Sequence, residues 1–511
     1  MKILFATVAS LRQTPVGLTS DLASARYRVL LPANQLARMG HDVQIASLPP
    51  EGWPSAVRSM PVDVLVISKS FHAENEELAK GMRQRGVRIV VDLCDDHFLH
   101  PKIGPHFCRL VDLADQVIAS TETMAEAIRT HTARHSIVIT DPVEGPRGKP
   151  EFSPRLPALR VVWFGHPLNL DSLAAKADEV IDLSRRLPVR LTVVTKLSTE
   201  VIDFLKTRFS HSLPHLVMDP IAWSMEATWK ALADCDIAWI PTLDNDKKAA
   251  KSPNRLLEPL WAGRFVVADP VPAYLPFADL VPIGKGLEQS VLEALKDPAA
   301  TEQRTHAAQQ RIARHHSLFA CGKLWAQALG DTAQRPLRLN LGCGDKILPD
   351  YVNVDVAEAS AGLKPDVICD LHELTPFADN SADEILSVHV VEHFWRWEIV
   401  AVLREWTRVL KPGALLIIEC PNLLSACRTF LEDPDQYSRM DRSGQRTMWV
   451  FYGDPTWKDP LMNHRWGYTP DSLKALLMEA GLANVRQEAA QFKLREPHDM
   501  RLIGNKPMPQ Q

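Results

Sequence analysis

The sequence predicts an α/β protein with three Rossmann-like domains, each a parallel sheet covered by helices. Short, continuous apolar runs alternate with helical patterns along the 511 residues, which is typical of sheets buried on both faces. This alternation is interrupted by a proline-rich stretch at 141–157 and by a polar bridge at 331–337. We therefore expect domains at 1–150, 151–330 and 331–511.

The strands of the first two domains are predicted from these apolar runs. In the first domain they are KILFATVA (2–9), DVQIASL (42–48), DVLVIS (63–68), RIVVDL (88–93) and DQVIAS (115–120). In the second they are LRVVWFG (159–165), VRLTVVT (189–195), HLVMDP (215–220), DIAWIP (236–241) and RFVVAD (264–269). A helical stretch from about 301 to 329 is expected to close the second domain.

Composition excludes several classes of protein. A formal net charge of -4 provides no overall polycation for nucleic acid. The eight cysteines form no C-x-x-C pair or metal-ligand spacing, which favours reduced thiols in the cytoplasm and predicts no metal site. The apolar start at 1–10 is short and Arg12 follows soon after, so we interpret it as a first strand rather than a signal peptide. No apolar run reaches the roughly 18–20 residues that span a bilayer.

The segment LNLGCGDK (339–346) predicts a nucleoside-binding loop. Gly342 and Gly344 follow a strand, where glycine lets the backbone approach a ligand. Asp355 ends the next strand, and an acid there is positioned to accept hydrogen bonds from ribose hydroxyls. It follows Gly344 by eleven residues, a short interval for a dinucleotide site, in which the acid lies about 20 residues on. A compact nucleoside without pyrophosphate fits this spacing better.

Residues from about 335 to 505 resemble class I S-adenosylmethionine-dependent methyltransferases. The matching segments are LNLGCGDK, VNVDV, CDLHELTPFADNSADEI, SVHVVEHF, VLKPGALLIIECPN and HRWGYTPDSLKALLMEAGL. The resemblance implies that S-adenosylmethionine is the cofactor, with Gly342 and Gly344 beneath its methionine part. It also implies that Asp355 holds the ribose and that Asp370 and Leu371 border the adenine.

The end of the predicted fourth strand of this domain carries candidate catalytic residues. His389, Glu392 and His393 lie where ligands bind in open α/β sheets, and a histidine can accept a proton from a hydroxyl near neutral pH. An equally weighted alternative is that His393 only caps or packs the following helix. His464, in NHRWGYTP, is a further candidate.

The segment KSPNRLLEPLWAGRFVVADP (251–270) predicts a phosphate site in the second domain. Lys251 and Ser252 precede a helix whose free N–H groups and dipole favour phosphate. Glu258 lies about two turns further on and could accept hydrogen bonds from ribose hydroxyls.

This segment looks like the nucleotide-sugar domain of GT-B type glycosyltransferases, in particular the retaining families with an E-x7-E motif. Glu258 matches the second glutamate, whereas the first is replaced by Ala250. WFGHPLNLDSL matches the opening of such a domain and puts His166 where a basic residue often meets phosphate. The resemblance covers about 1–330 and implies a nucleotide-sugar donor.

The first domain is expected to supply the acceptor side of this region. Lys69, Asp95, Asp96 and His97 follow predicted strands at the expected cleft, although each alone fits a solvated or structural role. Arg26 and Arg28 are predicted either to meet phosphate or to lie on an exposed helix face; they are a separate pair of candidates.

These expectations combine into one predicted function with two alternatives. The prediction is a bifunctional cytoplasmic enzyme of surface-glycan biosynthesis that transfers a sugar and methylates the glycan, with a lipid-linked acceptor bringing it to a membrane. The first alternative is a methyltransferase whose inactive GT-B region binds glycan, which the alanine at position 250 favours. The second is a nucleotide-sugar epimerase-like GT-B region, which would need no acceptor.

Overall fold

The computed structural model describes residues 1–15, 17–70, 72–154, 157–209, 215–243, 249–331, 336–357, 364–435, 442–454 and 460–509. These residues form two compact units, Met1–Thr332 and Ala333–Gln511. The first unit contains two large sheets, and the second contains one.

The first sheet of the first unit is parallel and has six strands. In chain order the strands of this region are β1 Lys2–Thr7, β2 Arg12–Thr14, β3 Gly17–Thr19, β4 Asp42–Ser47, β5 Val64–Ser68, β6 Arg88–Leu93, β7 Gln116–Ala119 and β8 Ile137–Val138. The sheet order is β4-β1-β5-β6-β7-β8, and β2 pairs with β3 in a separate small hairpin. The five predicted strands are confirmed; the hairpin and β8 were not predicted.

Helices cover both faces of this sheet. They are Ala23–Ala25, Leu31–Arg38, Ser55–Arg58, Ala73–Gln84, Gly104–Leu113 and Glu122–Thr132, with a π-helical turn at Arg26–Leu30. The last of these begins where the Thr121 side chain accepts a hydrogen bond from the Met124 N–H, and it ends at Ala133 in the left-handed conformation.

The second sheet of the first unit is also parallel, with the order β11-β10-β9-β12-β13. Its strands are β9 Leu159–Phe164, β10 Val189–Thr195, β11 Leu216–Ala222, β12 Ile237–Ile240 and β13 Phe265–Ala268. The helices are Leu170–Ala175, Ala177–Arg186, Thr199–Phe209, Met225–Asp234, Asn254–Trp261, Leu287–Lys296 and Pro298–His315, with 3-10 turns at Pro167–Asn169 and Pro272–Phe277. All five strands predicted for this region are confirmed.

The last helix of the first unit, Leu318–Ala328, returns to the first sheet. Trp325 is fully buried there and its ring lies 5.7 Å from that of Phe5. The predicted linker at 141–157 contains no helix or strand among its described residues, but it packs firmly: the Gln309 side chain donates to the Gly148 carbonyl at 2.8 Å. The helix Leu318–Ala328 therefore carries the chain from the region of the second sheet back to the first sheet.

Arg28 lies in the core of the first sheet, so the prediction of a phosphate contact or an exposed helix face is wrong for this residue. Its side chain is fully buried and forms ion pairs with Asp92 and Asp141. Arg26 is also buried and pairs with Glu144 at 2.8 Å. The π-helical turn contains both arginines, and a sequence pattern based on a regular helical repeat does not predict which way its side chains face.

The second unit has a seven-stranded sheet of order β16-β15-β14-β17-β18-β20-β19. Its strands are β14 Arg338–Leu341, β15 Val352–Asp355, β16 Val367–Ile368, β17 Ala382–Val388, β18 Leu410–Pro421, β19 Ala483–Glu488 and β20 Asp499–Asn505. The first five are parallel, whereas β20 is antiparallel to both of its neighbours.

Four α-helices and two 3-10 turns accompany this sheet among its described residues. The helices are Ile399–Val409, Leu423–Glu432, Arg442–Tyr452 and Pro470–Glu479, and the turns are Val391–His393 and Pro460–Met462. A loop without helix connects β14 to β15. In the part of the chain that the structure describes, no helix has the length and apolar character to cross a membrane.

Candidate functional site

The loop after β14 brings two glycines to the carboxyl end of the second unit's sheet. Gly342 and Gly344 have φ angles of 68° and 51°, in the left-handed region that favours glycine. A Cβ on Gly342 would lie 2.4 Å from the Val390 side chain, so the loop packs directly against the residues that follow β17. The Gly344 N–H donates to Asp355 Oδ2 at 2.7 Å, which places this carboxylate beside the loop as predicted.

Buried polar side chains hold this loop where many nucleotide sites have a helix. The Asn340 side chain donates to the Lys346 carbonyl at 2.8 Å and to Asn353 Oδ1 at 3.0 Å. Asn353 in turn donates to Asp366 Oδ2 at 2.9 Å. These side chains fix the loop without help from a helix dipole.

Asp370 and Leu371 follow β16 at the same edge of the sheet. Asp370 is exposed and its Oδ1 accepts from the His372 ring at 2.7 Å, an interaction that raises the pKa of His372. Leu371 is buried, and its carbonyl accepts from the Trp406 indole N–H at 2.9 Å. Asp355, Asp370 and Leu371 therefore lie at the carboxyl ends of adjacent strands.

His389 begins the segment after β17 and is held by two carboxylates. Its φ of 56° turns the chain sharply, Nε2 lies 2.8 Å from Asp499 Oδ1, and Nδ1 lies 3.2 Å from Glu392 Oε1. Although burial opposes the charged form, Asp499 and Glu392 raise the pKa of His389. A buried imidazolium between two carboxylates is a poor proton acceptor, so the structure disfavours His389 as a general base.

Glu392 and His393 form a cluster with His464. Ligand atoms of these three side chains lie within 4.8 Å of one another, and the two imidazole rings meet edge to face at 5.1 Å. Although burial favours the neutral acid, His389 and the two histidines lower the pKa of Glu392 to about 2. The structure thus brings together two predicted catalytic residues and the further candidate His464.

In the first unit, Lys251 and Ser252 precede the helix Asn254–Trp261, as predicted. Lys251 is exposed, but its ammonium group forms an ion pair with Asp95, which also pairs with Lys69. Although burial favours the neutral acid, Lys69 and Lys251 hold the pKa of Asp95 well below its usual range. The candidate phosphate residue and the candidate acceptor residues therefore meet in one cluster between the two sheets.

Glu258 lies on the same helix and faces the first sheet's helices. Its Oε1 accepts a hydrogen bond from the hydroxyl of Tyr27, which is almost fully buried. Burial raises the pKa of Glu258 to about 7. The Tyr27 hydroxyl is hydrogen-bonded to the carboxylate that the sequence assigns to a ribose. A nucleotide that binds Glu258 through its ribose would therefore have to displace this hydroxyl.

The raised pKa of Glu258 predicts a pH-dependent contribution to stability. Folded Glu258 retains its proton up to pH of about 7, whereas an ordinary glutamate loses it near 4.5, so this contribution is present below 4.5 and is lost as pH rises to 7. Glu258→Gln should therefore flatten the fall in the free energy of unfolding across this interval. Urea unfolding at several pH values measures how the free energy of unfolding depends on pH. The control is Glu226→Gln, at an exposed position. An equal pH dependence in the two variants would contradict the prediction.

Ala250, at the position of the missing first glutamate, is only 3% exposed. It packs in the apolar core that contains Leu93 and Phe98, and its carbonyl accepts from the Thr121 hydroxyl at 3.1 Å. A glutamate at this position would put a charge into an apolar core, at a cost of several kcal/mol (about 2–7 for an unpaired polar group alone). Ala250 is therefore part of the apolar packing of this core.

The remaining candidates of this region are His166, Asp96 and His97. Exposed His166 accepts from the Leu168 N–H at 3.2 Å and so caps the short turn after β9. Asp96 is exposed and accepts from the Phe98 N–H at 3.1 Å. His97 is half-buried near His100, and burial lowers its pKa. Phosphate binding by His166 and catalysis by Asp96 or His97 stay predictions.

Comparison with known families identifies the second unit. Residues 339–418, which include the glycine loop, Asp355 and the Glu392–His393 turn, match the family model described as a methyltransferase domain. The second unit carries a methyltransferase domain. No curated protein matches the chain at a significant level.

Solved structures similar to the chain include three proteins. HepE from Anabaena, in complex with UDP, is 13% identical, covers 65% of this chain and 100% of its own, and has a TM-score of 0.46. AviGT4, a glycosyltransferase involved in avilamycin A biosynthesis, is 14% identical, covers 64% and 97%, and has a TM-score of 0.44. The trehalose-6-phosphate synthase OtsA is 12% identical, covers 65% and 100%, and has a TM-score of 0.46.

The predicted fold class is confirmed. The first unit has two parallel Rossmann-like sheets, and the second has a methyltransferase-like sheet. Sequence reasoning missed Tyr27 as the partner of Glu258 and Asp499 as the partner of His389. Both partners lie more than 100 residues away in the chain, and neither has a motif that would have revealed it.

Proposed function

We propose that the chain is a bifunctional enzyme that transfers a sugar from a nucleotide-sugar donor and methylates a glycan with S-adenosylmethionine. The observation that carries the methyltransferase half is the contact between the Gly344 N–H and Asp355, within the segment that matches a methyltransferase domain. This contact joins two elements that a compact nucleoside donor needs. They are a glycine loop whose backbone can approach the ligand and a carboxylate that can bind the ribose.

In this proposal the second unit binds the methyl donor at the carboxyl ends of its parallel strands. Gly342 and Gly344 lie beneath the methionine part, Asp355 accepts from the ribose hydroxyls, and Asp370 and Leu371 border the adenine. S-adenosylmethionine supplies an electrophilic methyl group, and the chain's task is to align the acceptor with it. The Glu392–His393 turn follows Val390, which packs on Gly342, so it lies beside this loop.

The glycosyltransferase half rests on the cluster between the two sheets of the first unit. Lys251 precedes a helix N-terminus and pairs with Asp95 of the opposite sheet, which also pairs with Lys69, so donor-side and acceptor-side charges converge. We propose that a nucleotide-sugar phosphate competes with Asp95 for Lys251, with Ser252 and His166 as further phosphate contacts. Glu258 then accepts from the ribose after Tyr27 moves away, and His97 and Asp96 lie on the acceptor side.

The product of the two activities would be a methylated glycan of the cell surface, made in the cytoplasm. A lipid-linked acceptor would bring the chain to a membrane surface. Fusion keeps both active sites near one acceptor and so raises their effective concentration.

Mass analysis of acceptor products tests the proposal. The full chain is incubated with a nucleotide-sugar panel, S-adenosylmethionine and glycan acceptors, and the expected product gains one sugar and one methyl group. Asp355→Ala should yield a product that gains only the sugar. Products with the methyl group alone would remove the glycosyltransferase half.

A second candidate function is a methyltransferase whose first unit only binds glycan. The burial of Ala250 favours it, because this position supplies no carboxylate near the donor sugar. Donor hydrolysis separates the two functions: the bifunctional enzyme releases free sugar from its nucleotide donor slowly without acceptor, and a binding module releases none.

A further inference from the structure

The Glu392–His393 turn and His464 come from separate segments of the second unit and converge on one point. The turn Val391–His393 follows β17, and His464 follows the 3-10 turn Pro460–Met462. Their ligand atoms lie within 4.8 Å of one another, and His464 Nε2 lies 3.9 Å from Glu392 Oε1. Two imidazoles and one carboxylate in this arrangement form a set of ligands suited to a divalent transition metal.

Backbone carbonyls fix both histidines in the tautomer that a metal requires. His393 Nδ1 lies 3.1 Å from the Asn463 carbonyl oxygen, and His464 Nδ1 lies 2.9 Å from that of Val450. A carbonyl oxygen only accepts, so each Nδ1 carries a proton, and in the neutral ring Nε2 is then the nitrogen whose lone pair can bind a cation. Metal-binding histidines have this outer partner, because it orients the ring and raises the basicity of the ligating nitrogen.

Glu392 supplies an independent observation. Its side chain is 2% exposed, and among the described residues neither carboxylate oxygen accepts a hydrogen bond of good geometry. The rings of two histidines lie close to this carboxylate: that of His389 at 3.2 Å from Oε1 and that of His464 at 3.9 Å. Buried polar atoms normally have a hydrogen-bonding or ionic partner, and a bound cation would be such a partner for the oxygens of this carboxylate.

We propose that Glu392, His393 Nε2 and His464 Nε2 bind one divalent cation of the zinc class and leave a coordination position open. The chain then positions an acceptor oxygen at this open position, beside the glycine loop that Val390 contacts, where a cation lowers the pKa of a bound hydroxyl. His393 is a ligand in this arrangement, which replaces the general-base role expected for it. The catalytic use of the cation rests on the proposed methyltransferase function, whereas cation binding does not.

Calorimetric titration of the chelator-treated full chain with zinc tests the proposal. The wild type should bind one ion per chain at this site, and His393→Gln and His464→Gln should each lower the affinity at least about 100-fold, since loss of an outer partner alone costs about 10- to 100-fold. His372→Gln is the matched control, because His372 pairs with Asp370 outside the cluster and should leave this affinity unchanged. No zinc binding by the wild type, or its loss only in His372→Gln, would overturn the proposal.

Two further measurements distinguish loss of the cation site from misfolding of a variant and from failure of the proposed function. Cobalt(II) added to the wild type should give visible absorption bands, and these bands should change in the variant His393→Gln, whose position is half-buried. Unchanged bands in this variant would contradict the role of His393 as a ligand. S-adenosylmethionine binding is measured in the same samples. A histidine variant that loses zinc binding but still binds S-adenosylmethionine supports the cation site. A wild type that binds S-adenosylmethionine but no zinc refutes the cation site and leaves the proposed function standing. Wild type that binds neither refutes both proposals.

Discussion

Asp355→Ala in the full chain should lower the affinity for S-adenosylmethionine at least about 100-fold. Hydrogen bonds to a charged group contribute about 1.5–3 kcal/mol each, so loss of two to the ribose costs about 3 kcal/mol or more. The carboxylate is already oriented for this contact, since it accepts from the N–H groups of Gly344 and Val356, both at 2.7 Å. Isothermal titration calorimetry measures the loss.

The matched control is Asp350→Ala, an exposed carboxylate in the same loop that should leave the affinity unchanged. Nucleotide binding in the first unit should also be the same in both variants. Equal affinities of wild type and Asp355→Ala for S-adenosylmethionine would show that the ribose is held elsewhere and that the assignment of the glycine loop is wrong.

Arg28→Met should destabilise the first unit by about 3–5 kcal/mol, the usual cost of removing one partner from a buried ion pair. Arg28 is fully buried, and its guanidinium pairs with Asp92 and with Asp141, the latter at 3.0 Å. Methionine keeps most of the volume but leaves two carboxylates without their cation. Asp141 also accepts from the Asn254 side chain at 2.8 Å, so the loss should extend to the contact between the two sheets.

Urea unfolding, followed by hydrogen exchange in peptides of residues 1–331, measures this effect. Arg12→Met is the control, because Arg12 forms an exposed pair with Asp21 and such pairs contribute about 0–1 kcal/mol. We expect Arg28→Met to unfold at a clearly lower urea concentration or to fail to accumulate, whereas Arg12→Met should resemble the wild type. Similar unfolding midpoints for the two variants would contradict it.

Patterns local to the chain predicted most of the fold. Continuous apolar runs bounded by turns located the strands of both sheets in the first unit, because strands buried on both faces leave a direct mark on composition. LNLGCGDK and Asp355 were assigned together because each ends a strand, and the structure joins them by a hydrogen bond. The order of strands along the chain was sufficient to predict that the loop and Asp355 lie together, since parallel strands end at the same edge of the sheet.

Long-range pairing could not be predicted. Arg28 was assigned to phosphate or to an exposed face because its buried partners Asp92 and Asp141 are 64 and 113 residues away. The cluster of Glu392, His393 and His464 was likewise beyond reach, because 70 residues separate the turn from the carbonyl that orients His393. Such partners depend on how the chain packs, which the residue order of a single sequence does not specify.

The proposed bifunctional chain has a methyl-donor site in its second unit and a nucleotide-sugar site in its first. Calorimetric titration of the full chain with S-adenosylmethionine, and separately with a panel of nucleotide sugars, determines whether both sites are present. We expect saturable binding of both donors, with Asp355→Ala losing only the first and Lys251→Ala weakening only the second. A wild-type chain that binds no S-adenosylmethionine, or no nucleotide sugar at all, would contradict the proposed function.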